Sequence, residues 1–197
     1  FDAVLYATGR KANTANIGLE HTDIATNERG AIVVNDTCES SVPGVYAVGD
    51  VNGGPQFTYI SLDDFRIVFG ALTGNGQYTL KDRKNIPYTT FLTPPLSRVG
   101  LTEEDAINQG YTVKTKEMLV ATMPRAHVND YLKGAFKIVV DADNDLILGA
   151  TLYSQGAEEL INLIKMAMDN NIPYTYFKNQ IFTHPTMAEN LNDLCNF

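Results

Sequence analysis

Two strongly apolar segments, Ala135 to Val140 and Leu146 to Tyr153, flank the polar run Asp141-Ala142-Asp143-Asn144-Asp145. That pattern predicts a β-hairpin, because turn-forming residues separate two runs suited to strands. A helix is expected from about Gly156 to Asp169, with Ala157, Leu160, Ile161, Ile164 and Met168 on one face and Pro173 beyond its end. Ahead of the hairpin, Thr89-Thr90-Phe91-Leu92 reads as a strand broken by Pro94-Pro95. Thr102-Glu103-Glu104-Asp105 then opens a short helix with acids at its positive end, which Gly110 closes. An aromatic-rich segment around Tyr174, Tyr176 and Phe177 leads to a short terminal helix beginning near Thr186. Strands first and helices later give an α+β domain built on an antiparallel sheet.

The first part of the chain has another rhythm. Phe1-Asp2-Ala3-Val4-Leu5-Tyr6-Ala7 reads as a buried strand with no cap, turn or polar lead-in, so the chain is expected to start inside a fold, as a fragment does. Short strands are expected at Ala31–Val34 and Val45–Val48. From about Thr58 to Leu72 an amphipathic helix is predicted, with Leu62, Phe65, Phe69 and Leu72 on its apolar face, and Gly74-Asn75-Gly76 stops it. The polar stretch that follows marks a domain boundary, giving domains 1–82 and 83–197.

Composition narrows the function. The 197 residues carry a net charge of −8 and 44% hydrophobic side chains, enough for a core and too few charges (19%) for a disordered chain. An acidic balance argues against a nucleic-acid or anionic-membrane binder. No apolar run approaches the roughly 18 residues of a membrane span. Two cysteines, Cys38 and Cys195, exclude a disulfide scaffold and fit a reducing, cytoplasmic setting. There is no Walker loop, GxGxxG, CxxC or metal-spaced Cys/His cluster, so no metal site is expected.

Two constellations carry chemistry. Val45-Tyr46-Ala47-Val48-Gly49-Asp50 places a carboxylate where a strand ends, the edge at which open α/β sheets bind ligands, and Asp50 could accept hydrogen bonds from ribose or ribityl hydroxyls. The helix starting near Thr58 would aim N–H groups at the same cleft. An ordinary Gly-Asp turn explains the same residues. The second constellation is Thr183-His184-Pro185-Thr186-Met187-Ala188-Glu189. Thr186 and Glu189 have capping-box spacing, while Glu189 can also reach the His184 imidazole, fix its tautomer and favour its protonated form. These two uses of Glu189 are expected to compete for one carboxylate.

Ala7-Thr8-Gly9-Arg10, Val45 to Asp50, Pro95-Leu96-Ser97-Arg98-Val99-Gly100-Leu101-Thr102-Glu103, and His184-Pro185-Thr186 with Glu189 occur in an order that resembles the flavoprotein pyridine nucleotide-disulfide oxidoreductases, the family of glutathione reductase, dihydrolipoamide dehydrogenase and mercuric reductase. The resemblance is to their carboxyl-terminal part. It implies a dimer-interface domain preceded by a truncated α/β FAD-binding segment, FAD as cofactor, NAD(P)H as co-substrate, a homodimer, and a small-molecule disulfide or oxidant as substrate. It implies that Gly49 and Asp50 face the ribityl chain and that Gln56, Phe57 and Thr58 face the flavin edge. His184 and Glu189 match the acid/base pair that each subunit lends to its partner. The fragment alone is expected to be inactive.

Ala12 departs from the family's usual proline, and the lone Cys195 together with His184 differs from the tyrosine and terminal cysteine pair of mercuric reductases. Pro124-Arg125-Ala126, the run from Phe57 to Asp64 and the ending Asn190-Leu191-Asn192-Asp193-Leu194 resemble a bacterial subgroup linked to resistance to reactive chlorine. Arg125 and His127 read as a solvated loop, and Cys38 and Cys195 as residues without redox work. Two other readings stay open: an autonomous dimerising module whose His-Pro-Thr segment only caps a helix, and an α/β domain that binds another nucleotide.

Overall fold

The computed structural model describes residues 1–197. The chain divides into two compact units, Phe1–Arg83 and Lys84–Phe197.

The second unit is an α+β domain around a five-stranded antiparallel sheet. Its strands are β1 (Tyr88–Thr90), β2 (Leu96–Gly100), β3 (Val113–Leu119), β4 (Ala135–Asp141) and β5 (Ile147–Tyr153), in the order β1-β2-β5-β4-β3. The expected hairpin is β4–β5, with Ala135 opposite Tyr153 and Ile138 opposite Ala150, and a register irregularity at Val139/Val140. Its turn is closed by local bonds: Asp141 Oδ1 accepts the Asp143 N–H and Asn144 Oδ1 accepts the Leu146 N–H, each at 3.0 Å. Strand β5 is central because its other edge takes β2, with Leu96 opposite Tyr153. Gly134 enters β4 at φ +126, where a Cβ would lie 1.7 Å from the Tyr153 carbonyl oxygen, so only glycine fits there.

Phe136, Ile138, Val140 and Leu152 are fully buried or nearly so, and they pack with Leu160, Ile161 and Ile164 of helix α4 (Ala157–Asp169). Met168, expected on the same face, is half-buried at its margin. Helix α2 (Glu103–Asn108) starts at a Thr102–Asp105 capping box, as its acids foretold. Helix α5 (Tyr174–Asn179) buries Tyr174 and Phe177 and leaves Tyr176 exposed. The terminal helix α6 (Asn190–Leu194) starts four residues later than expected, because Thr186 and Glu189 bond each other across a non-helical turn. Strands β2 and β3 and helix α3 (Pro124–Val128) have no counterpart in the hydrophobic pattern. Arg125 and His127 therefore lie on a helical turn rather than in a loop, with the His127 ring bonded to the Ala121 carbonyl at 2.8 Å.

The first unit departs further from expectation. Residues 1–10 form no strand and are exposed, since a strand exists only where a neighbour takes up its N–H and C=O groups. Segments 31–34 and 45–48 make only isolated bridges, Thr26–Ile32, Val34–Ser40 and Glu39–Tyr46. Helix α1 (Thr58–Thr73) is present. Its buried face is Ile60, Asp64 and Ile67, whereas Leu62, Phe65, Phe69 and Leu72 are exposed. Within this unit the turn at Gly49–Asn52 packs on α1, and its residues bond Asp64, so that side is the inner one. No helix is long and apolar enough to cross a membrane.

Candidate functional site

The first cluster lies in the second unit, on the segment between α5 and α6. Thr186 Oγ1 accepts the Glu189 N–H at 3.2 Å, and Glu189 Oε1 accepts the Thr186 N–H at 3.1 Å. The other oxygen, Oε2, meets His184 Nδ1 at 2.8 Å. The expected competition is absent, because each carboxylate oxygen serves one partner. The hydrogen bond from His184, helped by the one from Thr186, holds the Glu189 carboxyl below the usual carboxylate range. The His184–Pro185 peptide is cis.

The support behind the ring comes from the ending Asn190–Leu194, singled out in the sequence only by resemblance, and from Lys116, which no motif marks. Asn190 is buried and its amide donates to the carbonyls of Thr186 and Met187, each at 3.1 Å. Asn192 donates to Phe177 at 2.7 Å and to Gln180 at 2.9 Å, tying the end of α5 to the segment. Lys116 of β3 donates to the Asp193 carbonyl at 2.7 Å and to that of Asn196, at the negative end of α6. The segment is thus fixed at its base, while the His184 side chain is 68% exposed and that of Glu189 only 19%. A carboxylate only accepts, so Nδ1 carries a proton and Nε2 is the nitrogen that can gain or release a second one.

The second cluster lies in the first unit. Asp50 sits in the 3-10 turn Gly49–Asn52, its side chain half exposed and 3.5 Å from Arg10 Nη1. Asp50 and Gln56 line an open cleft of about 980 Å³ together with Arg10, Lys11 and Arg29. Gly49, the first residue of that turn, is buried at φ +72, where a Cβ would come within 2.8 Å of Ser61 Oγ. Thr58 is the exposed first residue of α1, and the Phe57 ring stacks on Tyr59 with centroids 5.0 Å apart. Neither Phe57 nor Thr58 is among the side chains lining that cleft. Asp64 of α1, to which the sequence alone gives no role, is buried and accepts the Gly49 N–H at 2.8 Å and an N–H of Asn52 Nδ2 at 2.9 Å.

Both cysteines are buried free thiols, and burial pushes Cys38 up to about 11 and Cys195 up to about 12, so each stays protonated near neutrality. No group of three or more His, Cys, Asp and Glu side chains is arranged to hold a metal ion.

Residues 86–195 match the family described as pyridine nucleotide-disulphide oxidoreductase, dimerisation domain, and residues 1–64 match a second one described as pyridine nucleotide-disulphide oxidoreductase. The chain belongs to this family of oxidoreductases. Its similarity to RclA of Escherichia coli strain K12 is 49% identity over 193 residues, covering 98% of the chain and 44% of RclA. It is also 35% identical to a mercuric reductase of Staphylococcus aureus over 96% of the chain and 35% of that enzyme. A solved structure titled HOCl-induced flavoprotein disulfide reductase RclA, from Escherichia coli, superposes with a TM-score of 0.93 at 48% identity, covering 96% of the chain and 43% of that protein. The chain therefore spans less than half the length of these relatives. The dimerisation-domain match falls within the unit that carries His184 and Glu189.

Proposed function

We propose that the chain is the interface half of a homodimeric, cytoplasmic flavoprotein that uses NAD(P)H to reduce a small-molecule disulfide or oxidant, and that it is inactive alone. The observation that carries this reading is the His184–Glu189 pair: a fixed base below, an exposed imidazole above, and the proton-exchanging Nε2 on the side away from the carboxylate. In the dimer the pair would serve the partner subunit's active site. There Nε2 would give its proton to the thiolate sulfur released when a disulfide opens, and Glu189 would hold the ring as its charge changes.

Residues 1–82 would form the end of the FAD-binding region. The donor chemistry of the first unit suits that group: Asp50 for sugar or ribityl hydroxyls, the cationic Arg10, Lys11 and Arg29 for a diphosphate, and Gln56 with the start of α1 at Phe57 and Thr58 for a polar ring edge. When bound, FAD supplies two-electron transfer between nicotinamide and a disulfide. The likeness to a reductase titled HOCl-induced supports a role under oxidant stress.

The test is His184→Ala in the complete protein. NAD(P)H should still bleach the flavin at the parent rate, while turnover falls by about 10²-fold or more. Unchanged turnover would remove His184 from the chemistry.

A further inference from the structure

Helix α1 buries a carboxylate where its neighbours on the same face are apolar. Asp64 lies between Ile60 and Ile67 and is 0% exposed. A buried carboxylate is tolerated only when its oxygens are satisfied and its charge is met, and an apolar side chain at this position would pack with less penalty. What Asp64 holds is therefore informative. Oδ2 accepts the main-chain N–H of Gly49 at 2.8 Å and the side-chain amide of Asn52 at 2.9 Å. Oδ1 accepts from Arg83 Nη2. Arg83 is itself only 10% exposed, and its Nε donates to Asp63 at 2.7 Å. One carboxylate thus grips the residue before Asp50 and the residue two after it, while a buried guanidinium balances its charge.

The turn so gripped has little freedom. Gly49 lies against Ser61, closer than any Cβ would allow. Asn52 uses its other side-chain atom to accept the Gly54 N–H at 3.0 Å. Asp50 itself makes no bond to Asp64 or Arg83; its only ion pair is the loose one to Arg10. We propose that Asp64, clamped by Arg83, is a positioning residue for flavin binding, setting the Gly49–Asn52 turn so that the Asp50 carboxylate is presented to the cofactor. The inference rests on the flavin reading of Asp50 given above. It adds that the aim of Asp50 is set by the bonds between Asp64 of α1 and the turn's Gly49 and Asn52.

The experiment is a double-mutant cycle on FAD affinity in the complete protein. Apoprotein is titrated with FAD, and binding is followed by quenching of flavin fluorescence for the parent, Asp50→Ala, Asp64→Asn and the double variant. Asparagine keeps the volume of Asp64 and one acceptor but turns an N–H donor towards its donors, disconnecting part of the clamp. Asp50→Ala and Asp64→Asn should each weaken FAD binding about tenfold, as expected for a hydrogen bond to a charged group. The double variant should bind no more than about twofold worse than Asp50→Ala alone, because Asp64 has nothing left to position. Equal losses from Asp64→Asn in both backgrounds would make its role generally structural and overturn the inference. A loss with Asp50→Ala but none with Asp64→Asn would also overturn it and leave the flavin reading standing. No loss with Asp50→Ala would instead overturn the flavin reading itself. Should Asp64→Asn fail to fold, the same cycle is run with Arg83→Lys, which keeps the charge but cannot bridge Asp63 and Asp64 in the same way.

Discussion

Replacing Glu189 by glutamine separates the two jobs of its carboxylate. Glutamine retains Oε1 as the acceptor for the Thr186 N–H, and the bond from the Glu189 main-chain N–H to Thr186 Oγ1 does not involve the side chain. Only the atom facing His184 Nδ1 changes, from an oxygen to an amide nitrogen. A charge-assisted hydrogen bond contributes about 1.5–3 kcal/mol when enclosed. The His184 side chain is 68% exposed, so solvent screening brings the stability loss below about 1 kcal/mol. That corresponds to a melting shift of a few degrees for a unit of this size. The effect on chemistry is larger. An amide N–H must donate into Nδ1, which moves the single proton of a neutral ring to Nε2 and removes the exposed acceptor. On the function proposed above, turnover of the complete protein, followed as NAD(P)H oxidation with a disulfide substrate, should fall by about 10²-fold or more. Because the native Glu189 carboxyl titrates below its usual range, the pair is intact above that range. Its contribution is lost as the pH falls through the lowered value, where parent and variant should converge. Parent-like turnover at neutral pH would refute the reasoning and leave Glu189 with its turn-closing bonds alone. So would a melting loss as large as that of Glu189→Ala, which removes both jobs.

Four further outcomes follow from packing and burial. Phe136→Ala empties the centre of the sheet core, where the side chain is fully buried, and should cost about 3–5 kcal/mol in denaturant unfolding; a loss under 1 kcal/mol would mean that the site collapses around the gap. Gly134→Ala drives a methyl into the Tyr153 carbonyl oxygen and should destabilise the β4–β5 hairpin by about 3 kcal/mol or more, visible as faster amide exchange in β5. Thiol titration at pH 8 should find neither Cys38 nor Cys195 reactive in the native protein and both reactive after unfolding. Since both thiols titrate higher when folded, stability should also decline as the pH rises above about 9, where the unfolded thiols ionise first.

The second unit was more legible in sequence than the first, for a physical reason. Its hairpin and α4 bury their apolar residues within the unit, so the periodicity of Ile138, Leu152, Leu160 and Ile164 coincides with the core. Strand β3, Val113–Leu119, alternates lysine, threonine and glutamate along a sheet edge, and such a pattern carries no apolar run to detect. In the first unit, Leu62, Phe65, Phe69 and Leu72 have helical spacing yet face outward, while a charged residue, Asp64, faces in. Hydrophobic periodicity cannot find a buried carboxylate; only its partners Gly49, Asn52 and Arg83 explain it. The His184–Glu189 pair was visible from residue types at the right spacing. The simultaneous service of both carboxylate oxygens depended on a turn geometry that spacing alone does not specify.

The central position of β5 also fixes a schedule. Strand β2 leaves the ribosome roughly fifty residues before the strand that pairs with its inner edge, since Leu96 must wait for Tyr153. At about 5–20 residues per second that wait lasts several seconds, with only the three-residue β1 to shelter β2. Chains arrested near residue 140 should therefore be cleaved by protease within 88–100, and chains arrested well past β5 should resist. Protection already present at residue 140 would mean that another element covers β2 first. The unpaired interval leaves the inner edge of β2 open to pairing with a neighbouring nascent chain, a hazard set by the order of synthesis rather than by the finished sheet.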